Sequence, residues 1–401
     1  MVKPMQVHWI WYSGRNISDR CKRMLLEYFR DAEEIYAASE EKLLQVPEMT
    51  EELCRELMDK DLTEAQRLEN VSRRMHISLL TFADAKYPAR LRSLHDAPVA
   101  LYYQGVLPDW DHMPVIGIVG TRQATSYGCE LAASMSSQIA ACGGMVVSGG
   151  AKGIDTVALE SALAAGGPVV AVLAGGLDRP YPASNIPLFR KICATGCLLS
   201  EYPPGTASNG WHFPIRNRII AGISNGLLVV EAPAKSGALI SARHALEQGR
   251  DVFSVPGSVT APTCAGTNAL LQEGARAVLS GWDVMKEYEM LYPECIRRQD
   301  ARGRVERPVQ KVAQRPELPK TADKKPIDKL EKSTYSGGHT AKSALTAEEQ
   351  TLVACVEAGA SLMDEIIANS GLNAAEAKKI LTRLALRKVL VLHPGGRVTL
   401  K

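Results

Sequence analysis

Long apolar runs are missing from this chain of 401 residues. No stretch approaches the roughly 18–20 apolar residues a membrane-spanning helix needs. Met1–Tyr12 also lacks a basic region followed by a long apolar core, so no signal peptide is expected and the cytoplasm is the expected compartment. The nine cysteines are scattered without a CxxC pair. Cys193 and Cys197 lie closest but have no second ligand pair, so ordinary reduced thiols are expected and a zinc site is not. A Gly-x-Gly-x-x-Gly motif after the first strand is missing, as is any Gly-x-x-x-x-Gly-Lys-Ser/Thr, which removes the usual dinucleotide and ATP signatures. Gly222–Gly226 matches the hydrolase elbow in letters, yet it precedes a strand where the elbow must follow one. No cofactor or metal is therefore expected. Aromatics are sparse at 5%, so those near the loops described next (Tyr181, Trp211, Phe213) stand out.

Glycine is plentiful at the ends of apolar runs. Val115–Val119 leads into Gly120-Thr121-Arg122, Met145–Val147 into Ser148-Gly149-Gly150-Ala151-Lys152-Gly153, and Val169–Leu173 into Gly175-Gly176-Leu177-Asp178. Between such runs the pattern turns helical, and the strands are apolar throughout, as when helices cover both faces of a parallel sheet. The expected fold is therefore α/β, a doubly wound parallel sheet, whose loops at the carboxyl ends of the strands bind ligands. Glycines and cations there suit a phosphate-rich partner.

Composition divides the chain into four parts. Residues 1–76 read as a small helical module, with helical spacing in Asp19–Arg30 and a helix start at Ser39. Residues 77–289 hold extended segments up to Tyr103 and then the α/β domain. Residues 290–345 read as a linker rich in Pro, Lys, Arg, Ser and Gly. Arg297–Lys332 carries twelve Lys/Arg against six Asp/Glu, a surplus of +6, while the whole chain is only +3, so the remainder sums to −3. Any affinity for nucleic acid must then come from a local patch. Residues 346–401 read as three helices and a hairpin, a winged-helix arrangement, with Lys378, Lys379, Arg383 and Arg387 on its third helix. Such units bind DNA or protein.

At Arg122, backbone N–H groups, the Thr121 hydroxyl and a guanidinium would converge on a phosphate; pairing with a carboxylate at the sheet rim is the plainer role. Lys152 is a phosphate contact or an exposed turn lysine. Asp155 reads as the cap of the following helix. Arg216 and Arg218 flank Asn217 after Pro214, and at a spacing of two they cannot share a helical face. One would face a ligand while the other anchors the sheet, and Glu231 is the expected buried partner. Ser236 and Gly237 open a further helix as an anion-binding terminus. Phe213 is expected in the core.

With these pieces assembled, the chain resembles the DNA-processing protein A (DprA/Smf) family. The matching stretches include Gly120–Arg122 with Tyr127-Gly128, Ser148–Asp155, Gly175–Asp178 with Tyr181-Pro182 and Asn185, Leu199–Tyr202, Phe213–Gly222, Glu231, Ser236–Ile240, Gly249–Val252 and Val255–Gly257. The resemblance implies an extended Rossmann-like domain in a dimeric protein without catalytic residues, one that binds single-stranded DNA, protects incoming strands in natural transformation and hands them to the RecA recombinase. By that resemblance Arg122, Lys152, Arg216 and Arg218 lie in or beside the DNA pocket. Loops at Ser148, Gly149, Gly175 and Gly176 add backbone and hydroxyl contacts, and Asn268–Glu273 lies near the self-association surface. One departure is Ala183, where many relatives place a DNA-contacting lysine. Competing readings are a phosphoribohydrolase-like enzyme, whose Pro-Gly-Gly-x-Gly-Thr signature is missing near Val230–Gly237, and a transcriptional regulator acting through the winged helix.

Overall fold

In the computed structural model the described residues are 7–298, 346–357, 363–373, 377, 380–381, 384, 389–392 and 398–400. The chain divides into two compact units, Met1–Val312 and Ala313–Lys401.

In the first unit the apolar runs become one nine-stranded sheet, ordered β1-β2-β6-β5-β4-β3-β7-β8-β9. Its strands are β1 (Ser78–Thr81), β2 (Ala100–Gly105), β3 (Val115–Val119), β4 (Met145–Ser148), β5 (Val169–Leu173), β6 (Cys197–Ser200), β7 (Gly226–Val229), β8 (Asp251–Ser254) and β9 (Arg276–Ala277). From β6 through β9 the neighbours run parallel. The segments expected only to lead into the domain instead extend the sheet, because β2 pairs antiparallel with both β6 and β1.

Alternation along the strands assigns the two faces. Ile116, Ile118, Val146, Val169 and Ala171 pack with α8 (Ser126–Ala141), α9 (Ile154–Ala164), α10 (Ile186–Thr195) and α14 (Gly281–Met285). Val115, Val119, Val147, Val170 and Val172 pack with α7 (Ala89–Arg92), α11 (His212–Ile223), α12 (Gly237–Glu247) and α13 (Ala265–Gln272). Each such side chain, removed fully from water, contributes about 1.5–3 kcal/mol before entropy is charged against it. Helix α11 accommodates Pro214 because it falls in the first turn, where the missing N–H has no helical partner to lose.

The N-terminal module contains α1 (Val7–Ser13), α2 (Asp19–Tyr28), α3 (Ala32–Ala37), α4 (Glu40–Leu44), α5 (Glu51–Met58) and α6 (Thr63–Arg74). Ser18, Asp31, Ser39 and Thr50 cap α2 to α5, each accepting a backbone N–H from the first turn. Trp9, Trp11, Leu25, Ile35 and Leu57 form its core, which Val99, Leu79 and Phe82 join to the edge of the sheet.

The folded unit continues past residue 289. Tyr292 accepts hydrogen bonds from Arg90 (2.9 Å) and Asn225 (3.0 Å), and Arg297 N–H donates to Cys142 O at 2.9 Å, so 290–298 belong to the folded unit. In the second unit, α15 (Ala347–Glu357), α16 (Met363–Ser370) and the antiparallel pair β10 (Leu390–Leu392) and β11 (Val398–Leu400) surround Leu352, Ile366, Leu381 and Leu384. Lys378, Lys379, Arg383 and Arg387 lie outside the described residues.

Candidate nucleic-acid interface

The direction of winding reverses between β3 and β7: from β3 the chain proceeds through β4, β5 and β6 on one side, then returns to place β7 on the other. Such a switch point leaves a crevice beyond the carboxyl ends of the two strands. A cleft of about 460 Å³ lies there, lined by Gly120, Thr121, Arg122, Phe213, Arg216 and Lys235 among others.

Glu231, just past β7, holds the two halves of the crevice together. Its carboxylate accepts from Thr125 N–H (3.0 Å) and from the Thr125 hydroxyl (2.9 Å), which in turn accepts Gly128 N–H at 3.0 Å. Glu231 is 1% exposed. The expected Arg–Glu231 pair is therefore replaced by a carboxylate seated at the positive N-terminus of α8. That seat requires glycine at 128, since a Cβ there would collide with the Glu231 carboxylate. Gly128→Ala should cost about 1–3 kcal/mol through overpacking, read as a lower urea midpoint at unchanged m-value; an unchanged midpoint would contradict the packing.

Arg216 forms the floor of the cleft at 4% exposure. Its guanidinium donates to Gly149 O at 2.7 Å and to Val172 O, and its Nε to Asn217 Oδ1 at 3.2 Å. Asp155 is also buried, and accepts Ala151 N–H at 3.3 Å. It sits one residue inside α9, whose cap position is Gly153, so it braces the preceding loop instead of capping its helix. Gly149 runs between this acid and the arginine; a Cβ there would lie 2.7 Å from Asp155 Oδ2 and collide with the Arg216 guanidinium. Burial pushes the Arg216 pKa down to about 10, Asp155 opposing and Arg122 adding to the shift. Burial pushes the Asp155 carboxyl up, against the pull of Arg216. A hydrated anion entering here would relieve the crowding of Arg122 on Arg216.

Arg122 stands at the mouth, exposed and without an ion pair among the described residues. Its guanidinium lies 4.6 Å from the Phe213 ring centre, a cation–π contact that holds the charge toward the cleft. Phe213 is half-buried and lines the cleft, so it is not the core residue the sequence indicates. Tyr181 meets its edge at 5.9 Å and is 51% exposed, while Trp211 nearby along the chain is 63% exposed. The Ser236 hydroxyl accepts Ala238 N–H at 3.2 Å and caps α12, whose first turn opens on the cleft beside Gly237 and Asn217. Arg122, Arg216 and Lys235 face one carboxylate, Asp155, giving a cationic crevice with apolar walls at Phe213, Pro214 and Ile240.

Other expected contacts lie elsewhere. Ser148 is fully buried and its hydroxyl donates to Ile118 O at 2.6 Å. Gly175 and Gly176 are covered by the loop after β6: Gly175 O accepts from Ser200 (2.8 Å) and Gly176 N–H donates to Thr206 O (2.9 Å). Lys152 is exposed outside the cleft lining, and beyond Gly153 the Ile154 N–H meets Thr121 O at 3.2 Å, locking the two loops together. Arg218 points to the opposite side of α11 from Arg216. It pairs with Asp19 (2.8 Å), Glu201 (2.5 Å) and Asp96 (4.0 Å), and its side chain is 8% exposed. Sequence reasoning missed Lys235, Gln123 and Ile240; the basic residue directly before the Ser236 cap was the available signal for the first.

A family model described as DNA recombination-mediator protein A matches residues 78–289, and one described as the DprA winged helix domain matches residues 339–396. A Synechocystis protein named Smf is 32% identical over 99% of both chains. DNA processing protein DprA of Bacillus subtilis is 41% identical over 54% of this chain and 72% of its own. The X-ray structure of DprA from Streptococcus pneumoniae superposes with a TM-score of 0.62 at 33% identity, covering 71% of this chain and 99% of that one. The switch-point cleft thus sits inside a matched domain, and the chain belongs to the DNA-processing protein A (DprA/Smf) family.

Proposed function

We propose that this protein is a non-enzymatic recombination mediator that binds single-stranded DNA in the β3/β7 cleft. Its role is to protect incoming strands in natural transformation and, as a homodimer, to load the RecA recombinase onto them. The observation that carries the reading is Arg122, exposed at the mouth of a cationic crevice and stacked on Phe213 above the buried Arg216. One phosphate reaches Arg122 together with the Thr121 and Ser236 turns, while Phe213, Tyr181 and Trp211 offer π-faces on which any base can stack. Arg216 contributes field from below and is held in place, because its Nη1 donates to Gly149 and Val172 and its Nε to Asn217. Recombination and DNA processing are what the family description and the relatives' names bring to the chain.

The test is a pair of anisotropy titrations, with a single strand and with a duplex of the same sequence, over a salt series and with and without the cognate recombinase. The single strand should bind more tightly, with log affinity falling against log salt by about 0.7 for each phosphate neutralised. Recombinase filaments should assemble faster on the protein-bound strand. Equal affinity for duplex and single strand would overturn the cleft assignment, and unaltered filament assembly would overturn the loading role.

A further inference from the structure

The cleft occupies only one part of the sheet's carboxyl rim. Strand β1 runs parallel to β6 through the antiparallel β2, with Thr81 opposite Ala100 and Tyr102 opposite Ser200. Phe82, the residue after β1, therefore emerges on the same rim as Arg122. Five strand spacings separate β1 from β3 in the sheet order, a distance of about 24 Å at the usual interstrand separation.

At that far point two arginines crowd one ring. Arg23, from α2, places its guanidinium 3.9 Å from the Phe82 centre, and Arg92, at the end of α7, places its own at 5.1 Å. Neither forms an ion pair among the described residues. Arg92 donates to Asp84 O at 2.6 Å, whereas Arg23 Nε is buried without a hydrogen-bond partner. Lys86, on the same loop, is exposed. Burial and the neighbouring Arg92 both disfavour the charge on Arg23, with Glu27 and Tyr87 opposing them. Two half-buried cations against one aromatic ring, with no ion pair among the described residues, gain from an anion supplied from outside.

We infer that Arg23, Phe82 and Arg92 form a second phosphate-binding point for the single strand held in the β3/β7 cleft. This rests on the cleft reading above and extends it to a track along the rim. The exposed Trp211 and Tyr181 belong to loops on that same rim, since both follow carboxyl ends of strands between the two points. The N-terminal module, through α2, then contributes directly to strand capture, and site size grows beyond what the cleft alone can hold.

The experiment uses the full-length chain and two labelled oligothymidylates, one of about 4 nucleotides, too short to reach both points, and one of about 16, the two ends of the range of known single-strand sites. Wild-type protein should bind the long strand more tightly and with a steeper salt dependence. The Arg23→Gln/Arg92→Gln double variant should leave short-strand affinity unchanged, and should lower the long-strand salt slope by about 1.4, two phosphates' worth. Arg23→Lys/Arg92→Lys should keep that slope, which separates charge from any effect on module docking. An unchanged long-strand slope in the folded glutamine variant would overturn the second point, and would leave an acidic protein segment as the anion it serves. An equal loss on both strands would overturn it too, by showing a general disturbance. Failure of the wild type to bind the short strand would count against the cleft instead, so the two readings fail separately.

Discussion

Arg122→Ala should weaken single-stranded DNA binding by about 10–100-fold, the equivalent of losing one charge-assisted contact of about 1.5–3 kcal/mol. Its salt slope should fall by about 0.7, and its melting temperature should stay within about 2 °C of wild type. The reasoning is local. Arg122 is exposed, touches Phe213 by its face and carries no ion pair among the described residues, so the folded protein loses little when it is removed. The loss falls on the ligand, whose phosphate would be left facing Arg216, a buried group fixed through its Nη1 to Gly149 and Val172. Lysine at 122 should recover part of the affinity, keeping the charge but not the planar stack on the ring. Full affinity in the alanine variant at matched salt would sink the assignment of Arg122 to the strand.

The opposite profile is expected for Arg218→Ala. Here the folded state should lose about 3–5 kcal/mol, because Asp19, Glu201 and Asp96 are left as buried or half-buried carboxylates without their cation. For a unit of this size that is a fall of roughly 10 °C in melting temperature. The deficit should depend on pH in a defined direction. Burial already pushes the Glu201 carboxyl up to about 7 from its ordinary 4.5, even with Arg218 beside it. A raised acid favours folding only while it keeps its proton, so its contribution is lost as pH rises from about 4.5 to 7. Without Arg218 the Glu201 carboxyl rises further, so the two proteins lose stability in parallel up to about pH 7 and the gap between them should widen above it. Replacing the group together (Asp19→Asn, Glu201→Gln, Arg218→Met) should restore much of the stability, since no uncompensated charge would remain. A melting temperature unmoved by Arg218→Ala would contradict the buried ion cluster.

These two arginines also mark where sequence reasoning succeeds and stops. The spacing of two between Arg216 and Arg218 places them on opposite sides of a helix, and the structure has one in the cleft and the other in an anchor. The anchor's partner could not be read: Arg218 bonds Asp19, 199 positions away, on a helix that the sequence treats as part of a separate module. Strand positions were legible because β3 to β8 are mostly apolar, β3, β5 and β7 throughout, a pattern set by burial on both faces. The β1–β2 extension was less so, since nothing local in Leu79–Leu80 or Leu101–Tyr103 specifies an antiparallel partner. Glycine is the sharpest ambiguity. Gly120 and Gly237 border the cleft, whereas Gly149, Gly175 and Gly176 are consumed by close packing, and a sequence shows the two uses alike. The same holds for hydroxyls: Thr121 faces the cleft, while Ser148 turns inward to Ile118.

The carboxyl end of α11 bears on this as well. Arg90 and Arg250 reach its last carbonyls, at Ile223 (2.9 Å) and Gly222 (3.3 Å), while Arg218 fastens its middle. A helix pinned in this way cannot slide or roll to suit an incoming ligand, so the cleft has a fixed floor and a movable lip. Adaptation must come from Arg122, Lys235, Tyr181 and Trp211, whose flexible stems and hinged rings can follow whichever base arrives. On the proposed reading, such a division favours indifference to sequence, with shallow traps between successive registers of a strand along the crevice.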